Sequence, residues 1–328
     1  MIKLRPSIPS FLAAVSVLLC VVSSAKAQDK VLLRMNLHQG QTFDQGFAME
    51  TKMSQTQKER IDMMTTMHIN THNEVLNVAA DGDIKLKTTY QSVSIQTQAN
   101  RGKKSLTFSY DSKKPQEKSP VGLNSLAALV GQSLIITISP RGETLNVDGI
   151  DALVQHMLAN DKSTVGRKEL EKSFKIDLLD QAKQFLGIAV FSESPVAVGQ
   201  SWTTTNVRQS VSILMSGQYT LMSSQNNIAT LAVRSKLSPN TKTPPKLTPD
   251  NPIYISMSGN QNGVMRVDER SGLISSFELH QRILGQFSMA RIQETFNGKK
   301  STTTVTKPIS WPIYMAGTIR GWTVKLPQ

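Results

Sequence analysis

The chain has 328 residues, with 37 Lys and Arg against 24 Asp and Glu and a formal charge of +13. Its one cysteine, Cys20, excludes an internal disulfide framework and a cysteine-rich metal fold, so stability must come from an apolar core. The length allows one large domain or two modest ones.

Residues 1–27 have the pattern of a secretory signal peptide: Lys3 and Arg5, an apolar stretch from Phe11 to Val22, then Ala25-Lys26-Ala27. The apolar stretch is short for a membrane span, and cleavage is expected after Ala27. Cys20 follows Leu18-Leu19 rather than a small residue, which favours plain secretion over lipidation. The expected location is periplasmic or extracellular. Loss of Lys3, Arg5 and Lys26, with no acid, takes the formal charge from +13 to +10. A basic exported chain suits an anionic envelope surface as a partner. Its basic pairs, such as Lys103-Lys104 and Lys113-Lys114, sit in polar stretches without an aromatic ladder, so no nucleic acid is expected.

Beyond the leader the pattern predicts a mainly β protein of two related halves, residues 28–165 and 191–306. Leu37-His38-Gln39-Gly40-Gln41-Thr42-Phe43 opens the first, and Val196-Ala197-Val198-Gly199-Gln200-Ser201-Trp202 opens the second. Each is followed by a hairpin of alternating segments: Met67–Val78 with Ile84–Ile95 around Asp81-Gly82, and Val211–Met222 with Ile228–Leu237 around Gln225-Asn226-Asn227. A further strand, turn and strand follows in each half, around Arg141-Gly142 and Ser271-Gly272. The order of features repeats while the spacing does not, as in a duplication with a shortened second copy.

Helical periodicity is confined to the middle. A short apolar turn, Leu123 to Val130, ends at Gly131. Ile150, Leu153, Val154, Met157 and Leu158 share a face behind Asp148 as N-cap, and Leu170, Phe174, Leu178, Ala182, Phe185 and Leu186 share another. The second forms a connecting helix within 166–190. The proline-bearing stretch Ser238–Pro252 is expected to be a loop or crossover, and residues 307–328 a tail against the outside. The predicted fold is two antiparallel curved sheets or half-barrels with amphipathic helices packed against them.

Candidate chemistry is sparse. His68, Asn70 and His72 would share one strand face, but two histidines without an acid on the same element make half a zinc site, so no metal is assigned. Met49, Met53, Met63, Met64 and Met67 raise a copper(I) reading, against which their irregular spacing favours soft apolar packing. Met63, Met64 and Met67 are therefore the candidate lining of a cavity between sheet and helices, for a lipid or other apolar small molecule. No nucleophile elbow, zinc-protease helix or phosphate-binding loop is present, and no catalytic or cofactor-binding residue is assigned. A non-enzymatic role is favoured, with a hydrolase site assembled from sequence-distant residues as the remaining alternative.

The leader, the early Gly40-Gln41-Thr42-Phe43, the hairpin turn Ala80-Asp81-Gly82-Asp83, and Leu129-Val130-Gly131-Gln132-Ser133-Leu134 leading into Ile138-Ser139-Pro140-Arg141-Gly142-Glu143 resemble a family of exported, β-rich bacterial proteins known only as a domain of unknown function. The resemblance covers most of residues 30–306. It implies a shared fold and brings no catalytic residues. In architecture the chain also resembles the half-barrels of periplasmic lipoprotein carriers, which implies nothing about activity.

Overall fold

The computed structural model describes residues 30–114, 127–159, 171–172, 174–176, 178–180, 182, 190–208, 213–240, 253–297 and 300–325. Twelve strands and one continuous helix are delimited in it. The first half supplies β1 (Thr42–Thr56), β2 (Arg60–Val78), β3 (Ile84–Arg101), β4 (Lys104–Asp111), β5 (Ser133–Ile138) and β6 (Thr144–Asp148), followed by α1 (Ile150–Ala159). The second supplies β7 (Ser201–Arg208), β8 (Ile213–Gln225), β9 (Ile228–Pro239), β10 (Ile253–Asp268), β11 (Ile274–Asn297) and β12 (Lys300–Lys325). All belong to one curved, unclosed antiparallel sheet, in the order β6-β5-β3-β2-β1-β12-β11-β10-β9-β8-β7, with β4 beside the far part of β3. The mainly β expectation holds, and the two halves lie side by side through the β1–β12 pairing.

The turns form as their residues require. Asn226 and Asn227 adopt φ of 53° and 60° between the paired Gln225 and Ile228, a two-residue connection that needs left-handed backbone at both positions. The paired opening motifs make the same hydrogen bonds. The Gly40 N–H donates to the Val75 carbonyl (2.9 Å) and the Gly199 N–H to the Leu221 carbonyl (2.7 Å). The Gln41 and Gln200 side-chain carbonyls accept from the backbone N–H groups of His38 (3.2 Å) and Ala197 (2.9 Å). The two opening motifs thus share bonding as well as residue pattern.

Two expectations are corrected. Residues 307–328 are not a tail on the outside: up to Lys325 they belong to β12, the strand that joins the halves. Its prolines are accommodated by position. Pro308 falls where the β11–β12 register shifts, and Pro312 lies just past the last β1 partner, Gln55↔Ile313. Asp148 closes β6 rather than capping α1. Gly149, at φ 94°, takes the cap position, and its carbonyl accepts the Leu153 N–H. Gly131 ends its turn at φ 82°, as its sequence position predicts. The Ser238–Pro252 stretch beyond Asn240 and the ends of the connecting helix fall outside the described residues.

The core sits on one face of the sheet, at the end where the motif turns lie. Leu153, Val154, Met157 and Leu158 of α1, with Leu178 and Ala182 of the connecting helix, pack there against Leu86, Leu134 and Ile136. Lys175 binds Asp151 (2.9 Å) and Glu171 (3.0 Å), tying the two helical segments together. Residues 31–37 cross beneath both halves as a strap. Met35 N–H donates to Pro140 O (2.7 Å), Asn36 N–H to Ser271 O (2.9 Å), and Val31 pairs with Val196. Leu37 enters the first core and Leu33 the second, while the Arg34 guanidinium donates to the carbonyls of Leu33, Ser192 and Glu193, each at 2.7 Å. Burial, with Arg141 nearby, holds the Arg34 pKa below its ordinary value against the pull of Glu193.

Candidate ligand-binding face

Strand alternation and the observed register divide the sheet into two chemically distinct faces. The core-bearing inner face presents Phe47, Met49, Thr51, Met53 and Gln55 on β1, opposite Ile69, Met67, Thr65, Met63 and Ile61 on β2. Across the other edge of β1 the same rows continue into Gly321, Ile319, Gly317, Met315 and Ile313 of β12, then Phe277, Leu279, Gln281, Ile283 and Gly285 of β11. They run on through Met265, Gly263, Gln261, Gly259 and Met257 of β10 to Leu231, Val233, Ser235 and Leu237 of β9. None of these residues is charged. Glu50, Lys52, Asp62, Arg234, Lys236, Glu278, Arg282 and Arg320 occupy the alternate positions and face outward, whereas Lys325, level with Phe43, and Arg101 of β3, level with Ile61, stand at the two ends of the inner rows, paired with Asp268 (3.0 Å) and Glu59 (2.7 Å).

Among the described residues, the helices and the strap pack on the end of the inner face that carries the first two apolar clusters. A third apolar cluster, Ile213, Leu237, Met257, Ile283 and Ile313, with Met215, Ile255, Phe287, Trp311 and Met315 packed on it, is made, among the described residues, of strand residues alone. Phe287 and Trp311 stack with centroids 4.5 Å apart, and Trp311 Nε1–H donates to Gln55 Oε1 (2.9 Å). Towards the far edge Ile61, Met53, Met63, Ala99, Met315 and Met215 are half-buried, and Leu106 of β4 is exposed. An uncharged, partly open apolar surface of this kind can hold a hydrocarbon, and thioethers let it adapt to varied chains. Several of its glycines leave no room for a side chain, two of them in different ways. A Cβ at Gly263 would strike the Glu278 carbonyl, and one at Gly321 would strike the Phe277 ring that lies over it.

The sequence candidates separate here. Met63 and Met67 lie on the inner face, opposite Met53 and Met49, whereas Met64 is 42% exposed on the outer face. Sequence neighbours on a strand cannot share a face, so the structure brings two of the three together. His68 and His72 are outward, and His72 Nδ1 lies 2.8 Å from Asp44 Oδ1. No cluster of three or more His, Cys, Asp or Glu suited to a metal occurs among the described residues. The Met49–Met67 and Met53–Met63 pairs are four residues apart along each strand, roughly 13 Å, too far for one copper ion to bridge both pairs.

Titration behaviour on the inner face follows burial. Beneath the covered end the Tyr90 phenol is pushed up to about 12 by desolvation. Tyr219, stacked on Trp202 at 5.5 Å, is also raised by burial, against a hydrogen bond with Thr204. Away from this face, the groove beside α1 has a volume of about 750 Å³. It lies between β6 and the helical segments, with Leu145, Asp148, Asp151 and Lys175 at its wall.

Fold and face together define a β-rich protein built on one open sheet, with an apolar surface within whose middle rows carry no charge. The chain belongs to a family of unknown function (DUF6263), whose profile matches residues 81–274. No curated protein matches it. Among solved structures it is similar to lipovitellin, from a structure of lipid–protein interactions, at 8% identity and TM-score 0.45, over 89% of this chain and 26% of that one. It is also similar to Pseudomonas aeruginosa OccK7 (OpdD), at 6% identity and TM-score 0.24, over 88% of this chain and 100% of that one. A third likeness is to the translocator domain of autotransporter NalP from Neisseria meningitidis, at 5% identity and TM-score 0.21, over 88% and 90%. The chain thus spans about a quarter of the lipovitellin chain, and none of these superpositions is close enough to carry an argument.

Proposed function

We propose that this is an exported envelope protein that holds a lipid or other apolar ligand against the inner face of its sheet. The observation that carries the reading is the segregation of charge: from Phe47 to Gln55 on β1, and at the positions level with them on β2, β12, β11 and β10, no inward residue is charged, while apolar residues of these rows are half-buried. Such a surface gains by removing hydrocarbon from water at about 25 cal/mol per Å². Export rests on the leader pattern of residues 1–27. The test is to express the full chain with its own leader, purify without detergent, and record a native mass before solvent extraction. A mature chain beginning at Gln28 and carrying an extractable lipid is the expected result; an unliganded mass after gentle purification would count against the binding role.

A second reading, contact with an anionic envelope polymer, draws on the outer face. Lys236, Arg282 and Lys52 fall on one cross-strand row, separated by Asn260 and Ala316, so the cations recur about every 10 Å. None of the three has an ion-pair partner among the described residues. Retention on an anionic polysaccharide that collapses as salt rises past the physiological range would support this role, and salt-insensitive retention would remove it.

A further inference from the structure

The register brings together a row that no sequence window contains. At one level of the inner face, Thr97, Thr65 and Thr51 are consecutive cross-strand neighbours on β3, β2 and β1. The row then passes Gly317 and continues as Gln281, Gln261 and Ser235 on β11, β10 and β9. It is polar and uncharged along its whole length. The rows on either side, Met67–Met49–Ile319–Leu279 and Met63–Met53–Met315–Ile283, are apolar.

Much of this belt has no partner within the described protein. The Thr65 and Thr97 hydroxyls bond each other at 3.0 Å. The Thr51 hydroxyl is buried and has no partner among the described residues; the side chains of Ser235, Gln261 and Gln281 make no hydrogen bond among them either, and both glutamines are only half-buried, open to water or a ligand. Ser235 is only 7% exposed. A buried hydroxyl such as that of Thr51 is ordinarily paired, and leaving it open is costly unless something else bonds it.

Resting on the binding role above, we infer that the ligand is a neutral amphiphile. Its carbonyl or hydroxyl group is bonded by Thr51, Gln281, Gln261 and Ser235, and its chain lies over the apolar row towards the open edge. Hydroxyls and amides offer both donors and acceptors to an ester or alcohol. They offer no counter-charge, so an ionised carboxylate or phosphate drawn to this depth would be buried without a partner. The class indicated is an acylglycerol or similar ester, rather than a free fatty acid or a phospholipid head group.

The test uses the mature chain and displacement of a fluorescent hydrocarbon, diphenylhexatriene, by dioleoylglycerol or by oleate at pH 8. Dioleoylglycerol is expected to displace the probe at a concentration at least tenfold below that of oleate. The double variant Gln261→Leu/Gln281→Leu is expected to lose that preference while still binding the probe, and Thr51→Val to reduce it. Removing unpaired polar groups should leave the thermal midpoint unchanged or higher, which guards against misfolding as the cause. Equal displacement by the two lipids, or a preference unchanged in the double variant, would overturn the inference and leave apolar binding standing. Failure of the wild-type chain to bind diphenylhexatriene would overturn both.

Discussion

A chain ended at Lys307 is expected to lose folded structure in both halves. β12 pairs with β1 from Lys325↔Phe43 to Ile313↔Gln55 and with β11 from Trp322↔Ser276 onward, so it is the seam of the sheet. Removing residues 308–328 takes Ile313 out of the third core cluster and Ile319 out of the second. Burial of each such side chain is worth about 2 kcal/mol. It also strips a strand partner from both neighbours, leaving two long unpaired edges in place of a continuous ladder. The lost burial alone approaches the lower end of the 5–15 kcal/mol that separates a typical folded domain from its unfolded chain, and the lost pairing on both sides adds to it. The truncated protein should show no cooperative thermal transition by circular dichroism and rapid proteolysis throughout. A chain ended at Lys325 should melt as the full protein does. A truncated chain that kept a cooperative transition would mean that the halves are independent and the seam dispensable.

The strength of that effect contrasts with how faint β12 is as a pattern. On its inner face Ile313, Met315 and Ile319 alternate with Gly317 and Gly321, so two of five inward positions give no apolar signal, and Pro308 and Pro312 argue against a central strand. β1 is faint for a related reason: its inward positions include Gln45, Thr51 and Gln55 among Phe47, Met49 and Met53. The hairpins were plain because Asp81-Gly82, Arg141-Gly142 and Asn226-Asn227 encode their turns locally. α1 was plain because its buried stripe falls within ten residues. The candidate site divides in the same way. Met63 and Met67 stand out by composition, but the polar belt joins residues from 51 to 281 and exists only once strand pairing sets them at one level. Local chemistry is written in adjacent residues, whereas a sheet face is written in register.

Met63→Glu and Met64→Glu are expected to differ by about a hundredfold in apolar ligand binding, although they place the same charge on adjacent residues. Met63 lies on the inner face between Met53 and Ala99, and its neighbours across β1 and β12 are Met53 and Met315. A carboxylate there, covered by a bound chain, would lose its water without gaining a free cation: the nearest cation in the rows of that face, Arg101, lies level with Ile61 at the edge and is already paired with Glu59 (2.7 Å). A penalty of about 3 kcal/mol, modest for a partly buried ion, is about a hundredfold in affinity. Met64 faces outward at 42% exposure, where a carboxylate keeps its hydration, so Met64→Glu should bind as wild type. The pH dependence separates a charge effect from a packing effect. Ligand binding raises the pKa of a desolvated carboxyl, so the Met63→Glu defect is full when the free group is ionised and shrinks as pH falls and the neutral acid forms. Titrating diphenylhexatriene from pH 8 down to pH 4 should restore most of the lost affinity in Met63→Glu and change Met64→Glu no more than wild type. Equal loss in both variants, or a Met63→Glu defect independent of pH, would remove the inner face as the place where the ligand sits.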